Sequence, residues 1–484
     1  MKIERTVVWL LIAVYTLVFS IISINHHYTF RTNAFDLGIF MQSLWNTFHG
    51  RFMYNTVEYF VFCAKSHFNI HLSPILLVVL PLYHLLPEPQ GILILQTLAL
   101  GMAAYPLFLL SQRVLKRTAI SLGIVLLYLC NSLLHGINTY DFHAVSLAVP
   151  FIFLTAYFME TQRFTLALFA AVITLSTRED AGIAVVSLGI FYLLRNVNLN
   201  EYLSLFEEAY QGKLSKDKFA VLSMIVLGGL WVILGFFIVN SGHLISFYTG
   251  PFDLHLLEMK GVYFVIANLT VGMFLFLNPK YFLLLTSLPW MELLLSSDKN
   301  LTRIGLQYPY MLVPLSFVSA VYILGRIEER ELRKIFFLGV SLGLLISLVT
   351  TPVLPFQNGI TGILEIPCNC YQPITPHDKV LSQITSELAG TNLSVLTQND
   401  IFPHLANRDN TYVIWVSYCN NTLPFTDVIL LDWTKTYSMY NFFIADRLKY
   451  YRLVYSWDGI EVWIRKGEVA SYGFIRENPN ENTK

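Results

Sequence analysis

Between Val7 and Thr351 the chain is a succession of apolar stretches, each about 15–22 residues long, separated by short polar breaks. A helix needs about 20 apolar residues to cross the ~30 Å hydrocarbon layer, and only helices or closed barrels satisfy their own backbone there. The stretches near 7–24, 91–110, 119–134, 145–159, 165–176, 181–194, 219–240, 261–278, 281–297, 309–325 and 335–351 predict about eleven crossings. Only 13% of the residues are charged, against about 25% in a soluble globular chain. That excludes an ordinary soluble enzyme and a disordered chain. Lys+Arg 32 against Asp+Glu 32 leaves no net charge, so no overall field recruits nucleic acid.

The segment 72–87 (LSPILLVVLPLYHLLP) is apolar but short and carries prolines and His84. The charges decide its fate. With a cytoplasmic N-terminus and 72–87 interfacial or re-entrant, the inner segments are the N-terminal tail, 111–118, 159–164, 195–218, 279–280 and 326–334. They hold about 15 Lys and Arg in roughly 56 residues, about four times the density of the outer loops, as the positive-inside rule requires. A twelfth span at 72–87 would put Arg113, Lys116 and Arg117 outside. The first stretch has a charged start (Lys2, Glu4, Arg5) and no small-residue cleavage site, which predicts an uncleaved first span. This topology is that of a multi-pass protein of the cell membrane.

After about residue 352 the pattern shortens. TPVLPFQNG is a Pro/Gly-rich exit; 377–389 reads as an amphipathic helix; SVLTQ, TYVIW and DVILLDW read as short buried strands. Residues 437–448 read as a helix, and YRLVYSWDGIEVWIRKG as a hairpin turning at Asp458-Gly459. The expected fold is thus mostly α, a polytopic helical membrane domain over 1–351 with an extracytoplasmic α/β module over 352–484. A disulfide from Cys368 or Cys370 to Cys419 is compatible with an outer location, and Asn300, Asn392 and Asn420 carry sequons that would face the same side.

Polar residues in or beside such a membrane need a reason. Phe35, Ile39, Phe40 and Leu44 recur at helical spacing, predicting a surface-lying helix in the first outer loop with Asp36 at its start, either as a simple N-terminal acid or as a site residue. Asp141 and His143 stand two apart in the next outer loop and can face one site, although Asp141 could equally cap the helix beginning near Ser146. Arg178, Glu179 and Asp180 lie between two spans of roughly 15 residues, or about 22 Å each, and so below the outer surface. They read as an internal ion pair or as the lining of a wet cavity. Lys65, His67 and His71 precede 72–87, Arg303 and Tyr308 precede the tenth span, and Glu292 sits near the outer end of the ninth. Such a set suits a lipid-linked, phosphate-bearing substrate: cations for the phosphate and a carboxylate for an acceptor hydroxyl.

The ordered segments FDLGIFMQSLWNTFHG, HLSPILLVVLPLYHLLPEP, LQTLALGMAAYPLFLLSQRVL, HGINTYDFHAVSLAVP, STREDAGI and TQNDIFPHLANRDNTYV together resemble a prokaryotic family of polytopic membrane proteins of unknown function. That family is distantly similar to the GT-C superfamily of glycosyltransferases, which use polyprenyl-phosphate sugars at the outer face. The resemblance implies a catalytic acid at Asp36, a second acid at Asp141 and a proline-containing juxtamembrane helix at 72–87. It also implies a basic residue at Lys65 and a tyrosine-proline element at Gln307-Tyr308-Pro309-Tyr310. The chain departs from many of those relatives in having Leu37 after Asp36 and Gln307, not Arg, before Tyr308.

The function expected is transfer of a sugar from a polyprenyl- or dolichyl-phosphate donor, held in membrane lipid, to a glycan or protein acceptor. Asp36 would take or orient the acceptor proton. Asp141, His143 and Glu179 would position the acceptor or a divalent metal ion, the one cofactor considered, and Lys65, Arg178, Arg303 and Tyr308 would hold the donor phosphate. Two other readings remain at this level. A lipid or solute transporter would show ionisable or broken helices at mid-membrane. A non-catalytic scaffold for envelope assembly would use the outer module, with 403–412 (PHLANRDNTY) as its surface.

Overall fold

The first element is a 27-residue helix, Lys2–Tyr28, whose Leu10, Leu17 and Ile21 point outward while Val8, Ile12, Tyr15 and Phe19 are buried. An apolar residue left facing out on a long helix is stable in lipid, where water is not the alternative. The computed structural model describes residues 2–195, 214–239, 250, 253–354, 366, 368–419 and 423–467. Most of the basic segment 195–218 and the sequon at Asn420 lie outside the described residues.

The chain is mostly helical. By length and composition four described helices can cross a membrane: Ile3–Tyr28, Pro89–Leu115, Lys216–Ile238 and Glu329–Thr350. A fifth crossing arises if Thr118–Leu129 and Ser132–Thr139, bent by 46°, act as one. The other expected spans are shorter apolar helices, among them Ala144–Glu160, Phe164–Leu175 and Tyr308–Leu324. Helix Leu76–Leu85 within 72–87 has ten residues, about 15 Å, too short to cross.

Close helix contacts rest on small residues. A Cβ on Gly182 would lie 2.4 Å from the Gly228 carbonyl oxygen, so helices Gly182–Leu194 and Lys216–Ile238 touch backbone to backbone. Local stops are capped: Asn131 accepts from the Leu133 and Leu134 amides at 3.0 and 3.2 Å, starting helix Ser132–Thr139 after the bend.

The C-terminal part carries a five-stranded sheet in the order β2-β1-β3-β5-β4, with β1 Val395–Thr397, β2 Thr411–Val413, β3 Val428–Asp432, β4 Tyr451–Trp457 and β5 Ile460–Arg465. β1 runs parallel to β2 and β3, and β5 is antiparallel to β3 and β4. The amphipathic helix is Pro376–Ala389, started by a Thr375–Asp378 capping box. The β4–β5 hairpin turns at Asp458-Gly459, both at positive φ (48° and 85°), the geometry that favours Asp-Gly. The segment 437–448 is not one α-helix. Ser438–Ile444 is 3-10 and only Ala445–Leu448 is α, because its bulky aromatics (Tyr440, Phe442, Phe443) are poor helix formers outside a packed interior.

Two further expectations are corrected. Helix Ile39–Phe48 does not lie with one apolar face on a membrane: Ile39 to Leu44 are all buried, including Gln42 and Ser43. The C-terminal part covers it, with Gln42 Nε2 donating to the Arg408 carbonyl at 2.7 Å and the Phe402 ring lying where a Cβ of Gly38 would be. The disulfides also differ. Cys419 pairs with Cys63, and Cys368 pairs with Cys370. Docking of the C-terminal part on helix Thr56–Phe62 brings the Cα atoms of Cys63 and Cys419 to 5.7 Å, and the Cys419 amide donates to the Phe60 carbonyl at 2.9 Å.

Candidate functional site

Asp36 sits in a π-type turn, Ala34–Gly38, that leads into helix Ile39–Phe48. The turn is held from two sides. The Asn33 amide and Nδ2 donate to Asp141 Oδ2 at 2.7 and 3.1 Å, and the Ala34 amide donates to Asn399 Oδ1 at 2.8 Å. Asp36 Oδ1 meets His143 Nε2 at 3.0 Å. These two residues line a cavity of about 510 Å³ that also takes in Glu58, His67, Arg178 and Tyr308. The C-terminal part closes it with Asn399, Trp415 and Tyr437.

A second cavity, about 460 Å³, adjoins it and shares His71, Arg178, Gln307 and Tyr308. Its other walls are Ile183, Val232, Phe236, Leu288, Met291 and Leu295, with Glu179, Asp180 and Glu292 at the polar end. The two spaces together pair a polar chamber with an apolar one.

The electrostatics separate the acids. Burial, reinforced by the charge of Asp36, pushes Asp141 well above the ordinary carboxylate range despite the two donations from Asn33. Burial alone would raise Glu179 as well, but His71, with Nδ1 at 2.9 Å, holds it below that range. The Leu72 amide also donates to Glu179, at 2.8 Å. Asp180 is held down by the Arg178 guanidinium, which donates through Nε at 2.7 Å and again through Nη2. Tyr310 donates to Asp180 at 2.7 Å, and Arg178 lies over the Tyr310 ring, 5.3 Å from its centroid. The Arg178–Asp180 ion pair is thus real, and Arg178 still lines both cavities.

The expected residues therefore divide. Asp36, His143, Arg178 and Tyr308 share the polar cavity; Glu179 lines the adjoining one. Asp141 lines neither and braces Asn33 from behind. Lys65 is exposed, and Lys65 and Arg303 line neither cavity. Arg303 Nη1 bonds Asn300 Oδ1 at 3.3 Å. Asp141, His143 and Glu179 each face a different partner, and among the described residues no group of three His, Cys, Asp or Glu can hold a metal ion. The residues present do not fit a divalent ion shared by those three. In the 403–412 segment Pro403, Leu405, Ala406, Arg408 and Thr411 are buried, and His404, Asn407, Asp409, Asn410 and Tyr412 are partly exposed.

Sequence reasoning missed Glu58, Asn399, Trp415 and Tyr437. Glu58 opens helix Thr56–Phe62, where an acid is ordinary, yet it is 2% exposed and meets His67 Nδ1 at 2.9 Å. Burial raises the Glu58 carboxyl, but His67 and the Asn55 side chain hold it below the usual range. The Glu-x₈-His spacing was the only signal available.

No curated protein matches the chain. A family match extends from residue 26 to residue 462, taking in the Asp36 turn, the His143 loop, the Arg178 cluster and the C-terminal sheet. Together with the long apolar helices it makes this a membrane protein, and the chain belongs to the family described as "Predicted membrane protein (DUF2079)".

Proposed function

We propose that this protein is an integral-membrane glycosyltransferase that moves a sugar from a polyprenyl- or dolichyl-phosphate donor to a glycan or protein acceptor at the outer face of the cell membrane. In this reading residues 1–351 form a GT-C-like membrane domain with about eleven crossings, some of them short or bent, and a cytoplasmic N-terminus. Residues 352–484 form the extracytoplasmic module over the site.

The observation that carries the reading is the union of the two cavities at Arg178 and Tyr308. A lipid phosphate is apolar at one end and anionic at the other. The apolar chamber suits the first isoprene units, and the guanidinium suits the phosphate. Beyond it, Asp36 orients the acceptor hydroxyl toward the sugar. Negative charge develops on the departing phosphate, so a fixed cation in a chamber shielded from bulk water is worth most there.

The test is Asp36→Asn in the full-length protein, assayed for consumption of a radiolabelled polyprenyl-phosphate hexose in membranes. Loss of at least about 100-fold, with normal insertion, is expected. Retained transfer by this variant removes Asp36 from the role. Flux of the unmodified donor across proteoliposomes without any covalent change would support the transporter reading instead.

A further inference from the structure

The partner of one imidazole nitrogen fixes the proton on the other. His143 presents Nδ1 to the Tyr140 carbonyl at 3.1 Å and Nε2 to Asp36 Oδ1 at 3.0 Å. A carbonyl only accepts, so Nδ1 carries a hydrogen. The contact with Asp36 needs a hydrogen of its own, on Nε2 or on the carboxyl. The Asp36–His143 pair therefore holds one proton more than a neutral imidazole beside a carboxylate.

His67 is arranged the other way. Its Nδ1 faces Glu58 Oε1 at 2.9 Å, and Asn55 Nδ2 donates to Glu58 Oε2 at 2.6 Å. An ionised Glu58 accepts only, so His67 Nδ1 carries a hydrogen, and in the neutral imidazole Nε2 then carries the lone pair. It is buried and has no hydrogen-bond partner in the protein, although the His67 side chain is only 2% exposed and lines the polar cavity. A buried nitrogen without a partner is costly unless something in the cavity bonds it. The Phe40 ring packs edge-on against both imidazoles, with centroids 5.1 Å from His67 and 5.9 Å from His143. With a neutral His67, the two carboxylate–histidine pairs lining this cavity are in opposite states of loading.

We propose that His67, oriented by Glu58, is the proton acceptor for a substrate hydroxyl in this cavity, while the proton-loaded Asp36–His143 pair orients that hydroxyl. The substrate side of this assignment rests on the transferase reading; the protonation states do not. In the step, the hydroxyl oxygen bonds the anomeric carbon. The bond from that carbon to the phosphate oxygen breaks, and its electron pair leaves with the phosphate. The hydroxyl proton passes to His67 Nε2, and Glu58 offsets the charge of the imidazolium. Nothing is oxidised or reduced.

The test uses the full chain, labelled with ¹⁵N-histidine and placed in lipid at neutral pH, read by solid-state NMR. The His67 signals, assigned by their loss in His67→Gln, are expected to show one protonated and one bare ring nitrogen. Those of His143, assigned through His143→Gln, are expected to show a proton on Nδ1 and a shared proton at Nε2. Glu58→Ala should mix the two tautomers of His67, because the partner that fixes the hydrogen on Nδ1 is gone. A fully protonated His67, or a His143 with a bare Nε2 and no proton shared with Asp36, overturns the proposal. With a polyprenyl-phosphate hexose as probe, His67→Gln should lower transfer at least about 100-fold while sugar-free polyprenyl phosphate still binds. Undiminished transfer by that variant overturns His67 as acceptor and leaves the transferase reading standing. A wild-type protein that consumes no donor overturns the transferase reading and the hydroxyl step with it; the nitrogen spectra still decide the loading of the two pairs.

Discussion

Asn33 and Asn399, 366 residues apart, are joined by a hydrogen bond from Asn399 Nδ2 to Asn33 Oδ1 at 3.0 Å. Asn33 in turn donates to Asp141, so a single chain of contacts runs from the loop after β1, through the turn that carries Asp36, to the loop that carries His143. The C-terminal part is built into the cavity and does not merely hang beside it. Removing the Asn399 side chain leaves the buried Asn33 Oδ1 short of a donor, while the Ala34 amide keeps the Asn399 backbone carbonyl at 2.8 Å. Asn399→Ala is expected to cost about 1–3 kcal/mol in thermal unfolding. A double-mutant cycle with Asn33→Ala should show strong coupling between the two.

Asp141 distinguishes a brace from a base. Its carboxyl is pushed toward the protonated form, first by burial and then by Asp36. Asp141→Asn keeps the shape and an acceptor oxygen for Asn33, and should leave stability and transfer nearly unchanged. Asp141→Ala removes the acceptor and should lower stability by about 1–3 kcal/mol. Paired melting curves and donor-consumption rates check this, and loss of transfer in Asp141→Asn would restore a direct role.

Gly235 makes room for Glu179. A Cβ there would lie 2.2 Å from the Glu179 Cβ and 3.3 Å from its Cα, contacts that no rotamer relieves. Gly235→Ala should push Glu179 off His71 and Leu72 and shrink the apolar cavity. The expected cost is about 1–3 kcal/mol, as in other overpacked interiors, whereas Gly229→Ala, with nothing within 4 Å, should be neutral or slightly stabilising.

The Cys63–Cys419 bridge closes a loop of 356 residues between helix Thr56–Phe62 and the C-terminal sheet. Cys63→Ala, Cys419→Ala and the double variant should lose the same stability, about 2–4 kcal/mol. Non-reducing peptide mapping should recover residues 63 and 419 in one linked species. Recovery of Cys419 linked to Cys368 or Cys370 would refute the pairing.

Asp400 gives a pH signature. Burial raises its carboxyl to about 7, against about 3.9 in the unfolded chain. The folded-state value is the higher one, so its contribution is fully present below about pH 3.9 and is lost as pH rises through about 7. Asp400→Asn should therefore stabilise the protein at pH 8 by about 1–3 kcal/mol and much less at pH 5. Thermal melts of both forms at the two pH values measure the difference, and an equal effect at both would refute it.

What could be read from the residues in order was what neighbours in the chain decide. Apolar run length gave a helical membrane protein, because a lipid interior forces the backbone to bond within its own segment. The prolines and brevity of 72–87 gave a helix too short to span, and Asp458-Gly459 gave the hairpin turn, because φ preferences are local. Asp36 and His143 could be picked out because ionisable groups beside a membrane are costly.

Which groups meet was decided only by the tertiary structure. Asp36 and His143 are 107 residues apart, and Glu179 finds His71 across 108. Cys419 passes over the nearby Cys368 and Cys370 to reach Cys63 because helix Thr56–Phe62 is what the C-terminal sheet packs on. Glu58 and His67 are close in sequence, but their importance comes from burial, with Phe40 packed on His67 and the docked sheet against helix Thr56–Phe62. Hydrophobic periodicity tells each segment which face to hide; it does not say against which of many similar faces, and that choice is made by shape and by the pairing of buried polar groups.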